Sequence, residues 1–138
     1  MRRLLARLRR DASGVTAIEF AIVAPILVFM VIGVAQMGAL FYGHAALRNA
    51  VSEGARYATI HPRPTAAQVV ARIQAHRPDS VPGTFSTPVV TYTQNAATGN
   101  WRANVTMTYT ATFNFIVTEF PITFNYARQA NVYAPPLP

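Results

Sequence analysis

From Phe20 to Tyr42 the chain runs for 23 residues with one polar side chain, Gln36. As a helix that run rises about 34 Å, enough to cross a hydrocarbon core of ~30 Å. Pro25 lies inside it, and a membrane helix tolerates an interior proline that a helix in water resists. Helical spacing continues past the apolar run through Leu40, Leu47, Val51, Gly54 and Ala58, with Arg48, Ser52, Glu53 and Arg56 elsewhere on the wheel. A second stripe holds only small residues: Ala35, Ala39, Gly43, Ala46, Ala50, Gly54 and Ala58. Such a stripe admits close approach either by another helix or by this chain's own sheet, and the sequence leaves both open. His61-Pro62-Arg63-Pro64 blocks continuation, so one long helix is expected over residues 15–60, its membrane segment at about 20–42.

The pattern then changes. Thr65 caps an expected short helix to His76, with Ala66, Val69, Val70 and Ile73 on one side, and residues 77–83 read as a loop. Trp101 to Phe115 alternates without a fault: Ala103, Val105, Met107, Tyr109, Ala111 and Phe113 interleave with Arg102, Asn104, Thr106, Thr108, Thr110 and Thr112. That period of two predicts a strand with one face on a core. Val89–Thr93 precedes it across a hairpin connection at residues 95–100. A third strand is expected from Ile122 towards Tyr133, after a turn at Phe120-Pro121. The fold class is therefore α+β: a long N-terminal helix packed on a small, three-stranded antiparallel sheet, with residues 61–138 as one domain beyond the membrane. Three strands cannot cover their own apolar face, and the outer half of the long helix is the natural cover. The tail from Ala134 to Pro138 is expected to be extended.

Charge adds a topology. All twelve basic residues are arginines, and Arg2, Arg3, Arg7, Arg9 and Arg10 stand before Gly14 against one acid, Asp11. The bias predicts a cytoplasmic N-terminus, a single membrane pass and an extracytoplasmic C-terminal domain. The other arginines are scattered along the sequence, which argues against a nucleic-acid-binding stripe. There is no cysteine, so disulfides and thiolate metal sites are excluded. His44, His61 and His76 lack ligand spacing, the serines stand in no nucleophile motif, and the glycines form no phosphate-binding loop. No catalytic residue, metal or cofactor is expected, and the chain does not read as an enzyme.

Glu19 is the informative exception. It follows Gly14 by five residues, and after it no charge appears until Arg48. Insertion scales put an acidic residue at roughly 2.5–3.5 kcal/mol of cost at a membrane-helix centre, and less near the ends. Gly14, four intervening residues, Glu19, Phe20 and a long apolar helix resemble the prepilin processing motif. Ala17-Ile18-Glu19-Phe20-Ala21-Ile22-Val23-Ala24-Pro25 and Asn49-Ala50-Val51-Ser52-Glu53-Gly54-Ala55-Arg56-Tyr57-Ala58 resemble the TadE family of the tight-adherence (Flp, type IVb-like) pilus system.

The resemblance implies a pilin-like architecture and a minor pilin or pseudopilin needed for pilus assembly and the associated secretion. It implies cleavage between Gly14 and Val15 by a membrane aspartyl prepilin peptidase, removing residues 1–14. Its implied partners are that peptidase, other pilin subunits met through the N-terminal helix, and the inner-membrane assembly platform. The ammonium created at Val15 would need a counter-charge in a low-dielectric helix bundle, and Glu19 of an adjoining subunit could supply it. Two other readings stay open. An uncleaved anchor could display the strand domain as a binding or adhesion module, or a signal peptidase could cut after Ala35, where Gly33-Val34-Ala35 offers small residues.

Overall fold

The computed structural model describes residues 13–78, 80–115 and 118–132. The expected arginine leader up to Ala12, Asp79 of the expected loop and the proline-rich tail lie outside the described residues. Two helices and four strands follow in order: α1 (Ser13–Tyr57), α2 (Ala66–Ala75), β1 (Thr84–Phe85), β2 (Val89–Gln94), β3 (Trp101–Phe115) and β4 (Thr118–Val132). The chain divides into two compact units, Met1–Met37 and Gly38–Pro138, and α1 contributes to both.

In the first unit the apolar side chains of α1 lie open, with Phe20 72%, Ile26 63% and Leu27 61% exposed. Leaving a large apolar side chain in water forgoes about 1.5–3 kcal/mol. A helix that does so turn after turn is built for a non-aqueous surround. Among the described residues α1 is long and apolar enough to cross a membrane, and its most apolar window is 0% buried within the chain.

The second unit is held by a core from three sources. Leu47 and Val51 of α1, Ala58 just past its end, Val69 and Ile73 of α2, and Val105, Met107 and Tyr109 of β3 are each 2% exposed or less. The alternation read along β3 is reproduced: Ala103, Val105, Met107, Tyr109, Ala111 and Phe113 all point into this core. β3 is the central strand. It pairs antiparallel with β4 along its whole length, from Trp101↔Val132 to Phe115↔Thr118. On its other side it pairs with β2 over residues 101–106 and with β1 at Tyr109 and Thr110. The sheet is thus α1-covered on one face and polar on the other, where Thr106, Thr108, Thr110 and Thr123 stand.

Three details depart from the sequence expectation. The sheet has a fourth strand, β1, only two residues long. It lies on the same side of β3 as β2, separated by residues 86–88, and Ser86 continues the pairing through its N–H to the Thr108 carbonyl at 2.9 Å. Second, Phe120-Pro121 is not a turn. Both residues lie within β4, Pro121 opposite Thr112, and the pairing of β3 with β4 continues to Phe115↔Thr118. β4 pairs with β3 alone among the described residues. An edge strand accepts a proline that a central strand would reject. Third, the α-helix ends at Tyr57, and tighter turns carry the chain on, Ile60 N–H donating to the Tyr57 carbonyl at 3.1 Å.

The short helix has a full capping box. Thr65 Oγ1 accepts from Gln68 N–H at 3.3 Å, and Gln68 Oε1 accepts from Thr65 N–H at 2.9 Å. The β2–β3 connection is closed by Asn95, whose side chain accepts from Ala97 N–H at 2.9 Å. Gly99, with φ of 68°, supplies the left-handed step that returns the chain to β3.

Candidate functional site

The first turns of α1 carry the expected processing and counter-charge residues. Gly14, Val15, Glu19 and Phe20 all lie in the helix and all are exposed. Val15 and Glu19 are one helical turn apart and share a face. Glu19 is the first acid of the described chain and the nearest basic residue after it along α1 is Arg48. Arg48 stands twenty-nine residues further along the sequence. Glu19 forms no ion pair among the described residues.

The small-residue stripe divides in two. Ala35 is exposed and Ala39 half-buried, whereas Gly43, Ala46, Ala50, Gly54 and Ala58 are buried in this chain's own core. Two of those positions must be glycine. A Cβ at Gly43 would fall 2.1 Å from Tyr109 Cζ, and one at Gly54 would fall 2.4 Å from Ile73 Cγ1. Of the two partners the sequence left open, the chain's own sheet and short helix therefore occupy the stripe from Gly43 onward.

Beyond Tyr42 the exposed flank of α1 bears polar groups. Glu53 accepts from Arg56 Nε at 3.0 Å and from Arg72 Nη2 at 3.3 Å, tying α1 to α2. The Arg56 hydrogen bond, followed by the charges of both guanidiniums, holds the Glu53 carboxyl below its ordinary value. Arg72 also stacks over Tyr57, its Cζ 5.7 Å from the ring centre.

Sequence spacing gave no sign of the next cluster. Arg48 and Arg128, from α1 and β4, come together around Tyr126. Arg48 Cζ sits 5.6 Å from the Tyr126 ring centre, and Arg128 Nη1 donates to Ser52 Oγ at 2.8 Å. The Ser52 hydroxyl first, then Arg48, hold the Tyr126 phenol below its ordinary value, with Arg128 adding to the positive field. The signal that could have found this cluster is the register of β4 on β3, which no local pattern encodes.

A third arginine behaves differently. Arg63, in the connector between α1 and α2, is only 6% exposed. Its guanidinium lies over the Tyr92 ring at 5.6 Å, and its nitrogens have no hydrogen-bond partner among the described residues. Burial raises the Tyr92 phenol, and Arg63 opposes that rise in part. The Tyr92 hydroxyl donates to the Pro64 carbonyl at 3.0 Å, fixing the connector onto β2.

No group of three or more His, Cys, Asp or Glu side chains that could hold a metal ion occurs among the described residues. His44 stacks on Phe124 at 4.7 Å, while His76 Nδ1 lies 3.0 Å from the Arg72 carbonyl. What the geometry offers is an open apolar helix with one acid and a polar flank with two clustered arginines.

No curated protein and no solved structure matches the chain. Residues 14–56, from the glycine that precedes the apolar run to the arginine beside Glu53, match the family model described as TadE-like protein, so this stretch of the chain is TadE-like.

Proposed function

We propose that the protein is a minor pilin or pseudopilin of a tight-adherence pilus, anchored by α1 in the inner membrane with its sheet unit extracytoplasmic. A prepilin peptidase cuts between Gly14 and Val15, and Val15 becomes the first residue of the mature chain. Glycine before the cut lets the backbone enter a narrow protease site. The observation that carries the reading is Glu19: one acid at the start of an open apolar helix, five residues after a glycine, with no charge following it in sequence until Arg48. An unpaired charge in a helix bundle costs several kcal/mol, so pairing Glu19 with the Val15 ammonium of an adjoining subunit selects one register and rejects others. The other partners on this reading are pilin subunits and the assembly platform.

The reading is tested on protein from cells that make pili. Intact-mass analysis is expected to find a chain beginning at Val15; a chain beginning at Met1 or at Gln36 would refute cleavage after Gly14. Glu19→Ala is expected to leave cleavage intact and to lower incorporation into assembled material at least tenfold, the equivalent of about 1.4 kcal/mol. Wild-type incorporation of that variant would remove the counter-charge role.

The competing reading, an anchored binding module, draws on the polar sheet face, where threonines of β3 and β4 stand in ladder. Thr108 Oγ1 donates to Asn125 Oδ1 at 2.8 Å and Thr110 lies 3.1 Å from Thr123 across the strands. It predicts a retained leader, so the same mass measurement separates the two.

A further inference from the structure

Beside the last apolar turn of α1 an open groove of about 470 Å³ runs between the helix and β4, lined by Phe41, His44, Arg48, Ser52, Tyr126 and Arg128. From the geometry of this groove we infer that it binds the phosphate of an anionic glycerophospholipid, taken from the leaflet on the sheet unit's side of the membrane. The inference rests on the membrane placement of α1 and is independent of cleavage after Gly14.

Position is the first support. Phe41 and Tyr42 end the apolar run, and Arg48 follows Tyr42 by six residues, about 9 Å of helix. Headgroup regions bring a bilayer from ~30 Å to ~40–45 Å, so they reach roughly 5–8 Å beyond the hydrocarbon on each side. A long arginine side chain directed back towards the helix N-terminus spans what remains. Part of the groove lining is aromatic, with Phe41, His44 and Tyr126, as suits side chains at a membrane–water boundary.

Charge is the second. Arg48 and Arg128 are exposed, and neither pairs with a carboxylate among the described residues. The nearest acid on α1, Glu53, is already held by Arg56 and Arg72. The Tyr126 phenol is lowered at the same place, first by the Ser52 hydroxyl and then by Arg48 and Arg128. Guanidinium forks match phosphate oxygens in pairs, and the Ser52 and Tyr126 hydroxyls add donors. Two positive charges favour a lipid of net negative charge over a zwitterionic one.

The test uses the full chain in nanodiscs of phosphatidylcholine, probed with spin-labelled phosphatidylglycerol and, separately, spin-labelled phosphatidylcholine. The motionally restricted fraction gives the preference of the protein for one lipid over the other. Arg48→Gln and Arg128→Gln are each expected to lower the preference for phosphatidylglycerol about fivefold, and together to abolish it. Arg102→Gln, an exposed charge on the far face of the sheet, is expected to leave it unchanged. Lysine at both positions keeps the charge but not the guanidinium fork and is expected to keep part of the preference. A preference unmoved by the glutamine variants would overturn the inference, as would binding of inorganic phosphate in the groove with no preference among the lipids, which would assign the groove to a free anion. Seating of an acidic protein segment in the groove, detected by photocrosslinking from residue 48 with lipid preference absent, would overturn it too. A chain that does not enter the disc would refute the membrane placement itself, a result distinct from entry without lipid preference.

Discussion

Gly43 of α1 lies against Tyr109 of the sheet, and Gly43→Ala measures that contact. The change adds one methyl group to a helix, where alanine is ordinarily favoured over glycine by about 0.8–1 kcal/mol. Here the new Cβ would lie 2.1, 2.2 and 2.5 Å from Tyr109 Cζ, Oη and Cε1. The ring cannot step aside cheaply. Tyr109 is 0% exposed, its hydroxyl donates to the Pro82 carbonyl, and Phe85 packs 4.8 Å away. Moving it loses a hydrogen bond of about 1 kcal/mol and adds overpacking strain of about 1–3 kcal/mol. Against the propensity gain, the net expectation is a loss of about 1–3 kcal/mol, and for a unit of this size each kcal/mol lowers Tm by roughly 4–8 °C. Gly38→Ala is the matched control, since a Cβ there meets nothing within 4 Å. Thermal melts of the two variants in one detergent, followed by tyrosine near-ultraviolet dichroism, make the comparison. Gly43→Ala melting at or above the wild-type temperature would refute the packing argument.

Two further outcomes concern titration. The Tyr126 phenol is lowered while burial raises those of Tyr92 and Tyr109. Absorbance at phenolate wavelengths should therefore show an early step that Tyr126→Phe removes and Tyr109→Phe leaves in place; an unchanged early step in Tyr126→Phe would refute the assignment. For Glu53 the folded carboxyl is lowered, so its contribution to stability is present above the ordinary carboxylate value and is lost as pH falls through the lowered one. Glu53→Gln should accordingly flatten the acid limb of stability against pH, by a small amount because the pair is exposed, and an unaltered limb in denaturant titrations would count against the Arg56 and Arg72 contacts.

Much of the architecture was legible because it is written locally. A long apolar run with a continued helical period specifies α1, fifteen alternating residues specify β3 and its inward face, and Thr65 with Gln68 specifies the start of α2. The remainder depends on partners distant in sequence. β1 exists only because β3 runs far enough to meet Thr84 and Phe85. Pro121 signals a turn in isolation, yet as an edge position it joins a strand that β3 holds in register. The small-residue stripe carries no label saying whether another subunit or the chain's own sheet will meet it; Tyr109 and Ile73 decide that for Gly43 and Gly54. The arginines look dispersed until strand pairing sets Arg128 beside Ser52 and Arg48. The pattern around Gly14 and Glu19 is the reverse case, short, linear and readable without a fold, and the family match begins at Gly14.

Pro121 has a consequence for crowding. β4 leaves its outer rim without a neighbouring strand among the described residues, and such a rim invites a second chain to zip alongside. A proline fits there with its nitrogen turned away from β3, so the rim lacks a donor opposite Thr112. An incoming strand would lose a rung at that point and could not follow β4 from end to end. Where many copies gather at high density, this blunts sheet-to-sheet fibre growth.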